Sequence, residues 1–193
     1  MNLYRNEITT VGRIISERRL NDKDVVVTLI TKSPHDVYPQ FICKKSLLPL
    51  YKEHSYVEVT GYADSHYGTE ASGKPLIQKM YATSVRMAET VLCKEFGVKG
   101  RFWEQKPCML YVSGIIKEIM EDDNYIRYIL MTENPVTTEM VPIKIDWKKI
   151  DRHPEYGVGD KICAICKITT PKKRIGTEDR VFLNFNVFDM DYV

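Results

Sequence analysis

The sequence predicts an all-β chain folded as two five-stranded Greek-key barrels in tandem. Three observations predict it. Apolar and polar residues alternate with period two through most of the chain, and β-branched residues crowd those stretches. The order strand, strand, strand, short helix, strand, strand occurs in residues 1–92 and again in residues 108–193. Two landmarks also recur at nearly one spacing. Val11-Gly12-Arg13-Ile14-Ile15 is matched by Val112-Ser113-Gly114-Ile115-Ile116, which puts 102 residues between Gly12 and Gly114. Val57 is matched by Ile162, 105 residues on.

The first unit starts with a strand at Glu7 to Arg19. Its Gly12 permits a sharp bend or a close backbone approach. Leu20 to Lys23 turns the chain into a second strand, Asp24 to Lys32. A third strand, Val37 to Lys45, carries Pro39, which marks an edge or a bulge. Ser46 to Lys52 makes at most a turn or two of helix, with Ser46 as N-cap. Ser55 to Met87 then forms a long hairpin around the polar turn Gly68 to Gly73, and its tip is expected to stand away from the body.

A connector is placed at 93–107, where Gly97, Gly100 and Pro107 break the pattern. Its Phe102 and Trp103 are expected to dock on a domain surface. The second unit repeats the strands at Met109 to Met120, Asn124 to Glu133, Thr138 to Trp147, Asp160 to Thr170 and Val181 to Val193. Lys148 to Tyr156 holds its short helix, and Lys172 to Arg180 its turn. This order is that of the oligonucleotide-binding (OB) fold, a small Greek-key barrel.

Composition narrows the function. No apolar run approaches the length of a membrane span, and MNLYRNEITT holds no apolar signal region, so a cytoplasmic protein is expected. Residues 1–94 carry 13 Lys+Arg against 10 Asp+Glu, and the rest carry 15 against 16. The first half is therefore the better candidate for phosphates. Five cysteines and no secretion signal imply reduced thiols. Cys163 and Cys166 lie on one strand three residues apart and so face opposite ways, which keeps them from sharing a metal. No phosphate-cradling glycine loop, nucleophile elbow or carboxylate cluster occurs, so an enzyme, a cofactor or a small-molecule substrate is not expected.

The first half resembles the bacterial single-stranded DNA-binding protein family. The resemblance lies in Asn6 through Val11-Gly12-Arg13-Ile14 and in Tyr56-Val57-Glu58-Val59-Thr60-Gly61 before a long hairpin. It continues through a turn containing Gly73 to Thr83-Ser84-Val85-Arg86-Met87. The resemblance implies sequence-tolerant binding of single strands in replication, recombination or repair, and barrels that associate in fours. Two barrels per chain would reach four as a homodimer, paired through the long first strand. The segment between strands three and four is shorter than in the family. The Gly/Gln/Pro-rich tail and the acidic tip ending in Pro-Phe are missing, which removes the expectation of recruited replication partners.

Aromatics interleaved with cations are what a single strand needs, because bases stack on rings and phosphates meet cations. In the first barrel the candidate platforms are Tyr38, Phe41, Tyr62, Tyr67 and Tyr81. The candidate phosphate contacts are Arg13, Arg18, Arg19, Lys44, Lys45, Lys74 and Lys79. In the second they are Tyr128, Trp147, Lys144, Lys148, Lys149, Lys172, Lys173 and Arg174. For each aromatic the competing role is core packing, and for each cation a solvated face; Arg18 and Arg19 could simply close a hairpin. The expected partner is single-stranded DNA, with RNA as the alternative nucleic acid. The rival from another class is a protein–protein adaptor or dimerisation module.

Overall fold

The structure, a computed structural model, describes residues 5–32, 36–48, 56–70, 73–88, 108–132, 137–148 and 155–193. The connector at 93–107, with Phe102 and Trp103, lies outside the described residues, as does most of the expected helix at Lys148 to Tyr156.

The first half runs β1 (Asn6–Arg19), β2 (Asp24–Lys32), β3 (Asp36–Val37), β4 (Gln40–Lys44), β5 (Tyr56–Tyr67) and β6 (Leu76–Met87). Antiparallel ladders join β1 to β2 and β5, β2 to β4, and β5 to β6. One parallel contact, Ile42 with Tyr81, closes the ring. The second half runs β7 (Met109–Asp122), β8 (Tyr125–Met131), β9 (Met140–Asp146), β10 (Lys161–Thr169), β11 (Lys172–Ile175), β12 (Glu178–Val181) and β13 (Asn184–Tyr192). Its ring is β7-β8-β9-β13-β10, closed by the parallel contact of Lys144 with Asn186. Closure removes the unpaired edges of an open sheet. The chain is all-β and holds two OB barrels in tandem.

The repeat reaches the irregularities. The β1–β2 register shifts after Ile14 and the β7–β8 register shifts after Ile116, 102 residues later. The β5–β6 register shifts after Thr60 and the β10–β13 register shifts after Ile165, 105 residues later. A bulge bends its strand and raises the local twist, which a small barrel needs in order to close. Beside the bulges sit glycines. A Cβ on Gly12 would lie 2.9 Å from the Ile30 carbonyl oxygen, and one on Gly114 would lie 2.6 Å from that of Met131. The expected close backbone approach is there in both halves.

Inward residues fill the rings in alternation: Val25, Val27 and Leu29 with Phe41 and Cys43, and their counterparts Ile126, Tyr128 and Leu130 with Ile143 and Ile145. They belong to one continuous apolar cluster across both barrels. Continuity follows from the joint. The start of β1 pairs antiparallel with the start of β7, Asn6 opposite Val112 and Ile8 opposite Leu110. Ile8 and Leu110 are equivalent under the 102-residue repeat, so the joint is a two-fold within one chain, centred on that pair. The edge of β1 expected to face a second copy is occupied by the chain's own β7.

The two-fold carries each barrel's long hairpin across the other barrel. The outer part of the β5–β6 hairpin does not stand free. The Ser65 hydroxyl donates to the Met140 carbonyl at 2.5 Å, and the Met140 N–H donates to Asp64 Oδ1 at 3.2 Å. In the other direction the Tyr38 N–H donates to Thr170 Oγ1 at 2.7 Å.

Three local readings need correction. The third strand divides at Tyr38–Pro39, because proline has no N–H for the ladder. The short helix is one 3-10 turn at Lys45–Leu47, and Ser46 lies inside it while Lys44 takes the cap position without a side-chain bond. Lys172 to Arg180 is a hairpin, β11 paired to β12, turning at Gly176 with φ 62°.

Gly61 at the first barrel's bulge tests the packing. A Cβ there would lie 2.0 Å from the Tyr81 carbonyl oxygen. Gly61→Ala should lower unfolding free energy by about 3 kcal/mol through overpacking. Gly73→Ala, with open space around it, should cost only about 1 kcal/mol for its left-handed backbone. Urea denaturation of both variants checks the difference.

Candidate nucleic-acid interface

On β4 the odd residues Phe41 and Cys43 point into the barrel, and Gln40 and Ile42 point out. The outward face does not meet open solvent. Thr170, Val181, Phe182 and Leu183 at the root of the β11–β12 hairpin stand across from it and leave a groove of about 430 Å³. Its first-barrel wall includes Tyr38, Gln40, Ile42, Leu76 and Gln78. Cations stand along it. Arg18 and Lys79 line the groove, Lys172 Nζ sits 5.0 Å over the Tyr38 ring, and Lys173 Nζ sits 5.8 Å from the Phe182 ring centre. Cation–π contacts hold ammonium groups at the ring faces while leaving them hydrated. The groove mixes apolar side chains with Gln40, Gln78 and Thr170, carries cations along it, and takes its walls from both barrels.

The long hairpin is built differently. Tyr62 and Tyr81 stack on each other, ring centres 5.2 Å apart and planes 16° apart. Burial raises both phenols above their ordinary range; for Tyr62 the Tyr81 phenol and then the Glu139 and Asp64 carboxylates add to it, and for Tyr81 the Asp64 carboxylate does. The cleft beside Tyr62, about 520 Å³, is walled by Glu7 and Glu139. Both carboxylates are engaged: Glu7 pairs with Arg5 at 3.6 Å, and the buried Glu139 accepts from the Thr132 and Thr137 hydroxyls. Tyr67 donates its hydroxyl to Glu118 Oε2 at 2.6 Å, and this bond is the main cause of its raised phenol. Lys74 pairs with Glu70 at 2.8 Å at the exposed tip. Of the hairpin's tyrosines, Tyr67 thus serves the contact between barrels, while Tyr62 and Tyr81 each give one ring face to the other.

The second barrel presents Tyr125, Arg127 and Lys144 on the outward face of β8 and β9. Lys144 Nζ lies 3.8 Å from the Tyr125 ring centre and the Arg127 guanidinium lies 5.4 Å from it. Burial lowers the Lys144 ammonium, and Arg127 and Lys173 lower it further, against Asp122 and Asp146.

Of the other expected contacts, Phe41 and Tyr128 are buried in the barrel cores and offer no ring to a base. Tyr128 meets Tyr156 edge-on with centres 6.2 Å apart. Trp147 packs half-buried against the core and donates its indole N–H to the Asp122 carbonyl at 2.6 Å, which ties down the β7–β8 turn. Arg19 closes its hairpin, binding the Asn21 carbonyl at 3.3 Å and pairing with Asp22. Arg13 is half-buried between β2 and β5. Lys44, Lys45, Lys148 and Arg174 are exposed away from the groove's lining, and Lys149 lies outside the described residues. Phe182, Tyr125 and Arg127 stand on these same surfaces and were not among the expected contacts. The signal for the last two was parity, since both share a strand face with each other and neither shares one with Tyr128.

No protein-family model matches the sequence, and no curated protein matches it either. Solved structures do match. A deletion variant of the single-stranded DNA binding protein from Thermus aquaticus is similar over 100% of this chain and 96% of its own, with a TM-score of 0.64 and 11% identity. The wild-type Thermus aquaticus protein is similar over 97% of this chain and 92% of its own, with a TM-score of 0.62 and 11% identity. The likeness is one of fold, and it extends over both barrels and their arrangement.

Cys163 is exposed and Cys166 is buried, as strand parity requires. Burial pushes the Cys43 thiol up to about 11, that of Cys108 up to about 12, and that of Cys166 higher still. A thiol held above its ordinary range is less thiolate and less reactive. In a Cys93→Ser background at pH 8, a thiol reagent should therefore modify Cys163 rapidly. The other three should react only on unfolding. Fast native modification of Cys166 would contradict the strand parity.

Proposed function

We propose that this chain binds single-stranded DNA with little regard to sequence and carries out no chemistry on it. The observation that carries the reading is the inter-barrel groove, where Tyr38 and Phe182 present rings and Arg18, Lys79, Lys172 and Lys173 present cations. Rings accept any base, and cations along the groove accept any phosphate. The likeness of fold to the Thermus aquaticus single-stranded DNA binding proteins supports it. A groove walled by both barrels suits a flexible strand, and a duplex has no free bases to insert and is broader than a single strand.

The same reading places the protein with replication, recombination or repair in the cytoplasm. Among the described residues no helix is long and apolar enough to cross a membrane. The homodimer loses the β1 edge as its interface, since β7 fills it. A dimer would have to use another surface, and β13 presents Phe188 at 71% and Tyr192 at 49% exposure.

Filter binding with oligo-dT tests the reading. Affinity should fall as salt rises, because bound counterions are released, and duplex of equal length should bind far more weakly. Tyr38→Ala and Phe182→Ala should each lower affinity about tenfold, one stacked base apiece. Oligo-rU in the same assay ranks RNA against DNA. Duplex binding as tight as single-strand binding, or no loss in either variant, would overturn the proposal.

A further inference from the structure

The internal two-fold lets the two barrels be read position against position. A row of outward residues crosses the first barrel at Arg18, Val26, Ile42 and Tyr81, each opposite the next on a neighbouring strand. Its equivalent in the second barrel is Met120, Arg127, Lys144 and Asn186, joined by the same pairings. Val26 and Ile42 have become Arg127 and Lys144.

That exchange puts two cations directly opposite each other on adjacent antiparallel strands. Like charges in this position are destabilising. A fold that keeps them must offset the repulsion. Among the described residues no carboxylate forms an ion pair with either one. Asp122 and Asp146 are near Lys144, but each faces the backbone. Asp122 Oδ1 accepts from the Asn124 N–H at 3.4 Å, and Asp146 Oδ1 accepts from the Lys148 N–H at 3.0 Å. The nearby Asp122 and Asp146 charges favour the Lys144 ammonium, and the Tyr125 ring meets both cations, its centre 3.8 Å from the ammonium and 5.4 Å from the guanidinium. A ring face stabilises a cation without neutralising it. Both side chains are partly exposed, and Lys173 of the β11–β12 hairpin adds a third positive charge nearby.

We infer that Arg127 and Lys144 form a phosphate-binding site on the second barrel, with Tyr125 as the platform that positions them. A guanidinium can grip a phosphate with two parallel N–H bonds, and an ammonium beside it supplies a point charge. In the chain as a whole, resting on the strand-binding reading above, the ligand is a backbone phosphate of the strand whose bases lie over the first barrel. The barrels then divide the work. The apolar row takes bases, and the cationic row takes phosphate.

Inorganic pyrophosphate probes the site without any strand. Thermal melting of the full chain is followed with and without it, beside Arg127→Gln, Lys144→Met and Lys144→Arg. Pyrophosphate should raise the wild-type melting temperature by several degrees. R127Q and K144M should lose most of that rise, and K144R should keep it. Without the anion, R127Q and K144M should melt no lower than wild type, because the opposed charges are gone. An equal rise in R127Q and K144M, or none in wild type, overturns the site. In oligo-dT binding, the slope of log affinity against log salt should shrink by about one for each cation removed. An unchanged slope in both variants, with wild-type binding intact, overturns the site's part in holding a strand and leaves strand binding standing. If wild type ignores oligo-dT while pyrophosphate still acts through Arg127 and Lys144, the phosphate site stands and the strand-binding reading falls.

Discussion

The arrangement depends on one short antiparallel pairing, β1 against β7 about Ile8 and Leu110. Both side chains are fully buried, so the joint is part of the core. One backbone and one side-chain bond extend it at its end: the Ser113 N–H donates to the Arg5 carbonyl, and the Arg5 N–H donates to Ser113 Oγ, each at 2.8 Å. A pairing register is a two-fold only when it is centred on equivalent residues, and this one is. Shifting it by one residue would turn Ile8 and Leu110 out of the core, so the apolar pattern itself holds the register. Once it is held, the rest of the geometry has little freedom. Each barrel's hairpin leaves its ring in a direction that crosses the neighbour. The groove beside Tyr38 exists because the β11–β12 hairpin arrives there.

Much of this was legible in the residues. The duplication was readable because a close-approach glycine and the apolar pattern around it repeat with the strands. Gly12 and Gly114 mark the same contact in two barrels at the offset the sequence displays. The joint between barrels was not legible. A strand that pairs with its own chain's copy and one that pairs with another molecule need the same apolar, lightly charged edge. The face of each aromatic was only half legible. Cys163 and Cys166 were assigned to opposite faces by strand parity, and they lie so. The same argument separates Phe41 from Ile42 and Tyr128 from Arg127. Applied to β4 and β8, it would have sent Phe41 and Tyr128 to the core and brought Arg127 forward. Phe182 had no such signal, because its position depends on a hairpin that read as a plain turn.

Symmetry of backbone has not kept symmetry of surface, and the crossing hairpins show why the faces could diverge. Each face is partly covered by the other barrel's hairpin, so its chemistry must suit its cover as well as its ligand. The first barrel's face, with Val26 and Ile42, lies under Val181, Phe182 and Leu183, and apolar meets apolar. The second barrel's face is crossed by Asp64, Ser65 and Tyr67, which bind Met140 and Glu118 through hydrogen bonds. The part of that face nearest Met140 is buried at Ile129 and Pro142, and the part beyond, at Arg127 and Lys144, stays partly open. A polar cover leaves its face partly open, so Arg127 and Lys144 keep part of their hydration there, although burial already lowers the Lys144 ammonium. Under the apolar cover the same two cations would lose their water with no counter-ion to replace it. The cationic row therefore belongs on the second barrel and the apolar row on the first, and exchanging them would set each face against the wrong hairpin.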